Sequence, residues 1–188
     1  MCKLIVVSNR RLAVNFAERI QEITALEIPV ILRGKDLNET EYQALAEKML
    51  KISDRILLHT YPSVAKKLGY GRIHLPLRIL ESSDLQGFTT VGASVHSVEE
   101  AIRAQELGVH YITAGHVFQT DCKKGVPPRG LKFLKDVCAA VEIPVYAIGG
   151  ITPENTPSAL ECGAAGVCAM SSFMTAPDVG ALYRKFPK

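Results

Sequence analysis

The chain has 188 residues, 47% hydrophobic and 22% charged, with a formal net charge of +3. That length and balance describe one folded domain with a sizeable core, and no run approaches the length of a membrane span. The positive charge is weak and dispersed, with short clusters only at Arg10-Arg11 and Lys123-Lys124, which suits a small anionic ligand and speaks against nucleic acid.

In chain order, short apolar and β-branched runs predict strands at 3–8 (KLIVVS), 28–33 (IPVILR), 55–59 (RILLH), 72–76 (RIHLP), 89–95 (TTVGASV), 111–117 (YITAGHV), 143–150 (IPVYAIGG) and 166–172 (GVCAMSS). Polar alternation is nearly absent from them, as expected of strands buried on both faces. Between them, helical spacing predicts helices at 39–51, 61–69, 97–108, 129–141, 152–163 and 176–186. The pattern is faintest at 15–26 and at 77–86, where a single turn or a short helix fits. Residues 97–108 carry the clearest signals: Ser97 as cap with Glu100 three residues on, and Gly108 as terminator. In 152–163, Thr152 reads as the cap, Pro153 as the first helical residue and Gly163 as the stop.

Five cysteines (Cys2, Cys122, Cys138, Cys162 and Cys168) show no CxxC and no regular spacing, which argues against a disulfide framework or a zinc site. A reducing, cytoplasmic location is expected, with Cys138, Cys162 and Cys168 as small core residues. The apolar run in MCKLIVVSNRR is too short for a secretion signal.

Strands alternating with helices without a break in composition imply a parallel α/β architecture. An open doubly wound sheet would favour a glycine-rich first turn, and the first turn here, SNRRLAVN, has none. The expected fold is therefore a compact (β/α)8 TIM barrel spanning residues 1–188 as a single domain, below the roughly 250 residues typical of the class. Active sites of such barrels lie at the C-terminal ends of the strands. Those positions hold Ser8, Asn9, Arg10, Arg33, Gly34, Lys35, His59, His74, Ser94, His96, His116, Gly149, Gly150, Ser171 and Ser172, with Asp36 almost the only acid. Such a ring of donors reads as an anion site. Gly149-Gly150 and Ser171-Ser172 end strands seven and eight, the usual phosphate corner, although a glycine pair can also simply make a turn.

Among the histidines, His110 precedes its strand and reads as structural, His74 as packed, and His59 and His96 as strand-end residues that could line a pocket. His116 ends strand six just before Thr120, Lys123 and Lys124. From position alone it could be a core histidine or a proton carrier facing an anion. Cys122, beside two lysines, lacks an identifiable partner base and reads as a bystander. No His, Asp or Glu cluster has metal-ligand spacing, and a magnesium–pyrophosphate site would need strand-end carboxylates.

The succession SVHSVEEA, AIGGITPEN and GAAGVCAMSS over about the last 90 residues resembles the thiamine phosphate synthase superfamily, with ILRGKD (31–36) extending the likeness more loosely. The synthases join a pyrimidine pyrophosphate to thiazole phosphate with magnesium. They carry a Gln-Leu-Arg-Glu-Lys type run after strand two, an Asn-Asp pair after strand three, an acid following HLGQ after strand four, and GPVFPT after strand six. Here the corresponding places read ILRGK, His59-Thr60, HLPLRIL and GHVFQT. GHVFQTDCKKG is similar instead to the TenI-type thiazole tautomerases, which isomerise an ylidene carboxythiazole phosphate to its aromatic tautomer. That resemblance implies His116 as the acid/base and Gly149, Gly150, Ser171 and Ser172 as the phosphate loops. It implies Arg33 and Lys35 as carboxylate contacts; Thr120 and Lys123 are expected as further substrate contacts from their position just after His116. Neither metal nor organic cofactor is expected. The expected partner is a small thiazole phosphate rather than nucleic acid or membrane, in a homodimer or other homo-oligomer. The rivals are a synthase with a divergent metal site and a non-catalytic thiazole-phosphate-binding or regulatory protein.

Overall fold

A computed structural model describes residues 3–123 and 125–187; Cys2 and Lys124 lie outside the described residues. Eight parallel strands close into a barrel: β1 (Lys3–Val7), β2 (Val30–Leu32), β3 (Ile56–His59), β4 (Arg72–Pro76), β5 (Thr90–Val95), β6 (Tyr111–Gly115), β7 (Val145–Ile148) and β8 (Gly166–Ala169). Closure is made by β1 against β8, with Lys3 opposite Gly166 and Val6 opposite Ala169. The helices are α1 (Phe16–Ala25), α2 (Glu39–Leu50), α3 (Pro62–Lys67), α4 (Leu77–Leu80), α5 (Val98–Glu106), α6 (Gly130–Ala140), α7 (Thr156–Glu161), α8 (Ser171–Thr175) and α9 (Val179–Tyr183), with one 3₁₀ turn at Asp121–Lys123. This is the expected (β/α)8 architecture.

The burial pattern explains why the strands lack polar alternation. One side of each strand (Leu4, Val6, Val30, Leu32, Ile56, Leu58, Ile73 and Leu75 among them) packs beneath the helices. The other side, including Ile5, Val7, Ile31, Leu57, Tyr111 and Cys168, forms a second apolar cluster that fills the barrel. Period-two alternation therefore sorts two cores rather than core from solvent. Tyr111 occupies the interior by lying across Gly92; a Cβ there would come within 2.1 Å of the tyrosine Cζ, so only glycine fits. Cys168 is buried, and Cys138 and Cys162 are half-buried against the outer core.

Caps follow local chemistry. Asn38 and Glu41 make a reciprocal capping box at the start of α2. At α5, Ser97 accepts from Glu100 N as expected, but the Glu100 carboxylate reaches back to His96 N. The helices are shorter than predicted, most of all α7 and α9. α7 begins at Thr156 instead of Thr152, because a helix starting at Pro153 would need an N–H at residue 157 and that residue is Pro157. Thr152 and Asn155 instead close a turn ahead of it, Thr152 N donating to Asn155 Oδ1 at 2.9 Å. α9 begins at Val179, after Pro177, with the Asp178 side chain accepting from Ala181 N. The eighth strand is also shorter than 166–172: it stops at Ala169, and Ser171-Ser172 open the short helix α8. At 77–86 only one turn is helical, α4.

One interior tie holds the C-terminal ends of β2 and β3 together. Buried Tyr42 of α2 donates its hydroxyl proton to Leu32 O and accepts from His59 N, both at 2.7 Å.

Candidate active site

A cavity of about 700 Å³ opens at the C-terminal mouth of the barrel. Ser8, Asn9, Arg10 and Gly34 of the expected donor ring are not among its lining residues, whereas Arg33, Lys35, His116, Thr120, Lys123, Gly149, Gly150, Ser171 and Ser172 are. They come from the segments following β2, β6, β7 and β8, so the closed barrel brings together positions more than a hundred residues apart.

His116 follows β6 and is buried. Its backbone is clamped on one side by Val117 N donating to Ile148 O and on the other by Arg129 N donating to His116 O, both at 2.9 Å. The ring Nε2 lies 3.3 Å from Val126 O. A carbonyl only accepts, so Nε2 carries the proton and Nδ1 of the neutral ring keeps a lone pair. Gly149 (φ +98°) and Gly150 (φ +66°) turn the chain directly against this segment. A Cβ on Gly149 would come within 2.2 Å of His116 Cβ, and one on Gly150 within 2.3 Å of Gln119 O. The glycine pair therefore both makes the turn and gives the His116–Gln119 segment its room.

Across the cavity stand four cations: Arg33 and Lys35 after β2, Arg78 on α4, and Lys123 on the 3₁₀ turn. Burial, and then the charges of Arg33, Lys123 and Arg78, hold the Lys35 ammonium below its usual range. Among the described residues, none of the four is ion-paired with a carboxylate. Mutual repulsion without internal neutralisation is the electrostatic signature of an anion-binding hole. Arg78 was not anticipated; the available signal was a lone charge in the LPLRIL segment, immediately after a barrel strand.

Acidic groups are sparse here. Asp36 is drawn away by Arg10 (2.7 Å) and Arg11 (3.3 Å), and the Arg10 hydrogen bond holds its carboxyl below the usual range. The carboxylates lining the cavity are Glu100 and Asp121. Among the described residues no three His, Cys, Asp or Glu side chains are grouped to hold a metal ion. Magnesium is ordinarily held by one or two carboxylates together with substrate phosphates, and the lining offers Glu100 and Asp121 for that role, with Asp36 engaged by Arg10 and Arg11.

The other histidines divide by environment. His74 and His59 line the cavity but are buried. Burial pushes His74 down to about 3; burial, then the nearness of His74 and the charges of Lys35 and Arg33, push His59 well below the ordinary histidine range. Both are neutral at pH 7 and poorly suited to accept a proton. His96 lines the cavity with Nδ1 3.0 Å from Gly115 O. His110 accepts from Val91 N at the opposite end of the barrel. Cys122 is exposed on the cavity rim, its Sγ 3.9 Å from Ser171 Oγ, which brings the β6 loop against α8.

Residues 3–173 match the family model described as thiamine monophosphate synthase. The chain belongs to this family. A thiamine-phosphate synthase of Thermus thermophilus is 34% identical over 169 residues, covering 86% of this chain and 82% of that protein. One of Pyrococcus horikoshii is 32% identical over 187 residues, covering 94% and 89%. Among solved structures, a thiamine phosphate pyrophosphorylase from Pyrococcus furiosus superposes with a TM-score of 0.80 at 28% identity, covering 98% of this chain and 93% of that one. Membership carries the coarser conclusion, an enzyme of thiamine biosynthesis. No helix among the described residues is long and apolar enough to cross a membrane.

Proposed function

We propose that this family member is a thiazole tautomerase, isomerising an ylidene carboxythiazole phosphate to the aromatic carboxythiazole phosphate. The observation that carries the reading is His116, fixed in the wall of a cavity that also holds four unneutralised cations. The substrate has two anionic ends. Gly149, Gly150, Ser171 and Ser172 are suited to the phosphate, and Arg33 and Lys35, with Arg78 and Lys123 nearby, to the carboxylate. Thr120 adds a hydroxyl to the same lining. His116 Nδ1 removes the ring proton, and the imidazolium returns a proton at the exocyclic carbon. The cations stabilise the negative charge that builds up between these steps. Aromatisation drives the reaction, so one well-placed acid/base contributing about 10²–10⁴-fold is sufficient chemistry.

The test is turnover of the ylidene substrate by the parent chain and by His116→Ala. Loss of catalysis above the spontaneous rate, with product affinity retained, supports the assignment; unchanged turnover in the variant sinks it. A second reading is favoured by the names of the relatives: thiamine-phosphate synthase, acting through a metal site of divergent composition. Incubation with pyrimidine pyrophosphate, thiazole phosphate and magnesium separates the two, since robust condensation overturns the tautomerase reading. Tight product binding with neither activity would point to a binding or regulatory protein.

A further inference from the structure

Beneath the cavity, three neighbouring strands place a hydrogen-bonded chain of side chains inside the barrel. Tyr111 of β6 reaches across Gly92 so that its hydroxyl lies 3.0 Å from His74 Nδ1 on β4. The other nitrogen of that ring, Nε2, lies 2.8 Å from Ser94 Oγ on β5. Thr113 of β6 places its Oγ1 3.3 Å from the same Ser94 oxygen. His74, Tyr111 and Thr113 are all buried and Ser94 is half-buried; His74, Thr113 and Ser94 reach the cavity lining, Ser94 with the most exposure of the four.

Proton accounting fixes the direction of this chain. Among the described residues, His74 Nδ1 is the one acceptor within reach of the Tyr111 hydroxyl. Were the hydroxyl to accept from Nδ1–H, its own proton would be buried without a partner, a costly arrangement. Tyr111 therefore donates, Nδ1 accepts, and His74 carries its proton on Nε2. Nε2–H then donates to Ser94 Oγ, and Thr113 donates to the same atom. With both lone pairs engaged, Ser94 has only its proton left to offer, and it stands at the cavity floor.

We infer that Tyr111 and His74 are positioning residues that fix the Ser94 hydroxyl as a donor to the ring end of the bound ligand, the end remote from the phosphate corner. The acceptor is a ring nitrogen or carboxylate oxygen of a planar heterocyclic anion; this identification of the ligand rests on the tautomerase reading, whereas the direction of the relay does not. Because His74 is held neutral by its burial, the relay keeps its polarity through the pH range in which exposed histidines titrate.

The experiment is a long-range ¹H–¹⁵N correlation on the full chain labelled at histidine, combined with binding measurements. In the parent, His74 is expected as the Nε2–H tautomer, unchanged as the pH falls from 7 to 5. Tyr111→Phe keeps the ring over Gly92 and removes only the donor; the second tautomer of His74 then becomes populated. Ser94→Ala and Tyr111→Phe each weaken binding of the aromatic carboxythiazole phosphate by about 3- to 10-fold, the range of one net hydrogen bond. Inorganic phosphate, which lacks a ring, binds all three proteins alike. An Nδ1–H tautomer in the parent overturns the inference, whether or not the variants fold, and so does unaltered product affinity in both. Should the parent bind product as described yet fail to turn over the ylidene substrate, the tautomerase reading falls and the relay stands.

Discussion

Gly149→Ala tests whether the glycine pair exists to seat His116. The added methyl would stand 2.2 Å from His116 Cβ and 2.7 Å from its Cα, where ordinary contact begins at 3.4 Å. A retreat of about 1 Å is therefore required, and backbone clamps at Val117 and Arg129 oppose it. The conformation itself, φ +98°, disfavours a residue with a Cβ by roughly 1–2 kcal/mol, and overpacking adds about 1–3 kcal/mol. A loss of about 2–5 kcal/mol in a domain of this size lowers Tm by roughly 4–20 °C. To whatever extent the His116 segment yields, stability is spared and catalysis suffers, since about 1 Å of misplacement costs on the order of 10²-fold. Thermal unfolding and kcat are measured on the same preparation, with Gly69→Ala as control. Gly69 has φ +62° with nothing within 4 Å of an added Cβ, so only the backbone cost of about 1 kcal/mol applies. If Gly149→Ala matches that control in Tm and the parent in kcat, the packing argument is refuted.

Three further outcomes follow from the same geometry. Arg78→Ala raises KM for the anionic substrate about 5- to 10-fold at low ionic strength, and the difference shrinks in about 1 M salt, where the screening length is near 3 Å; a salt-independent effect would contradict the charge reading. Lys35→Gln raises Tm at neutral pH, because the folded protein holds this ammonium below its usual range. Between the lowered and the ordinary lysine values the folded chain binds fewer protons than the unfolded one, so parental stability rises with pH there. The variant's advantage should thus fade toward pH 10.5 in thermal melts across that window. Tyr42→Phe leaves Leu32 O and His59 N without their shared partner and costs about 1–3 kcal/mol by denaturant titration; a neutral result would mean the tie between β2 and β3 is dispensable.

The barrel was legible because its strands are buried on both faces and so read as unbroken apolar runs, KLIVV and ILLH among them. Most errors lay at boundaries set by single residues: Pro157 delays α7, and Pro177 with Asp178 delays α9. Ser171 and Ser172 end the predicted eighth strand, yet they lie on a helical turn, since GVCAMSS gives no sign of where extension ends. At the site, strand-end position is informative because the fold delivers most such residues to one cavity, Ser8, Asn9, Arg10 and Gly34 excepted. Arg78 carries little signal in the sequence because it sits on a four-residue helix with little periodicity. His74 was read as packed, which its burial supports; its bonds to Tyr111 and Ser94 depend on strand register, with Ser94 opposite Thr113 and Gly92 opposite Tyr111, and no linear pattern encodes that.

The ring of Tyr111 laid across Gly92 also governs traffic. With Ile5, Leu57 and Tyr146 beside it, it stoppers the barrel: among the described residues, the C-terminal cavity and the cavity on the N-terminal side, which Tyr111 itself walls, share no lining residue. Entry and exit then share one route beneath the β6 loop, and substrate cannot load until product has left. For a reaction whose two ligands differ only in the position of a proton and a double bond, that enforces competition between them. Product accumulation should slow the enzyme competitively, with an inhibition constant equal to the product's own dissociation constant.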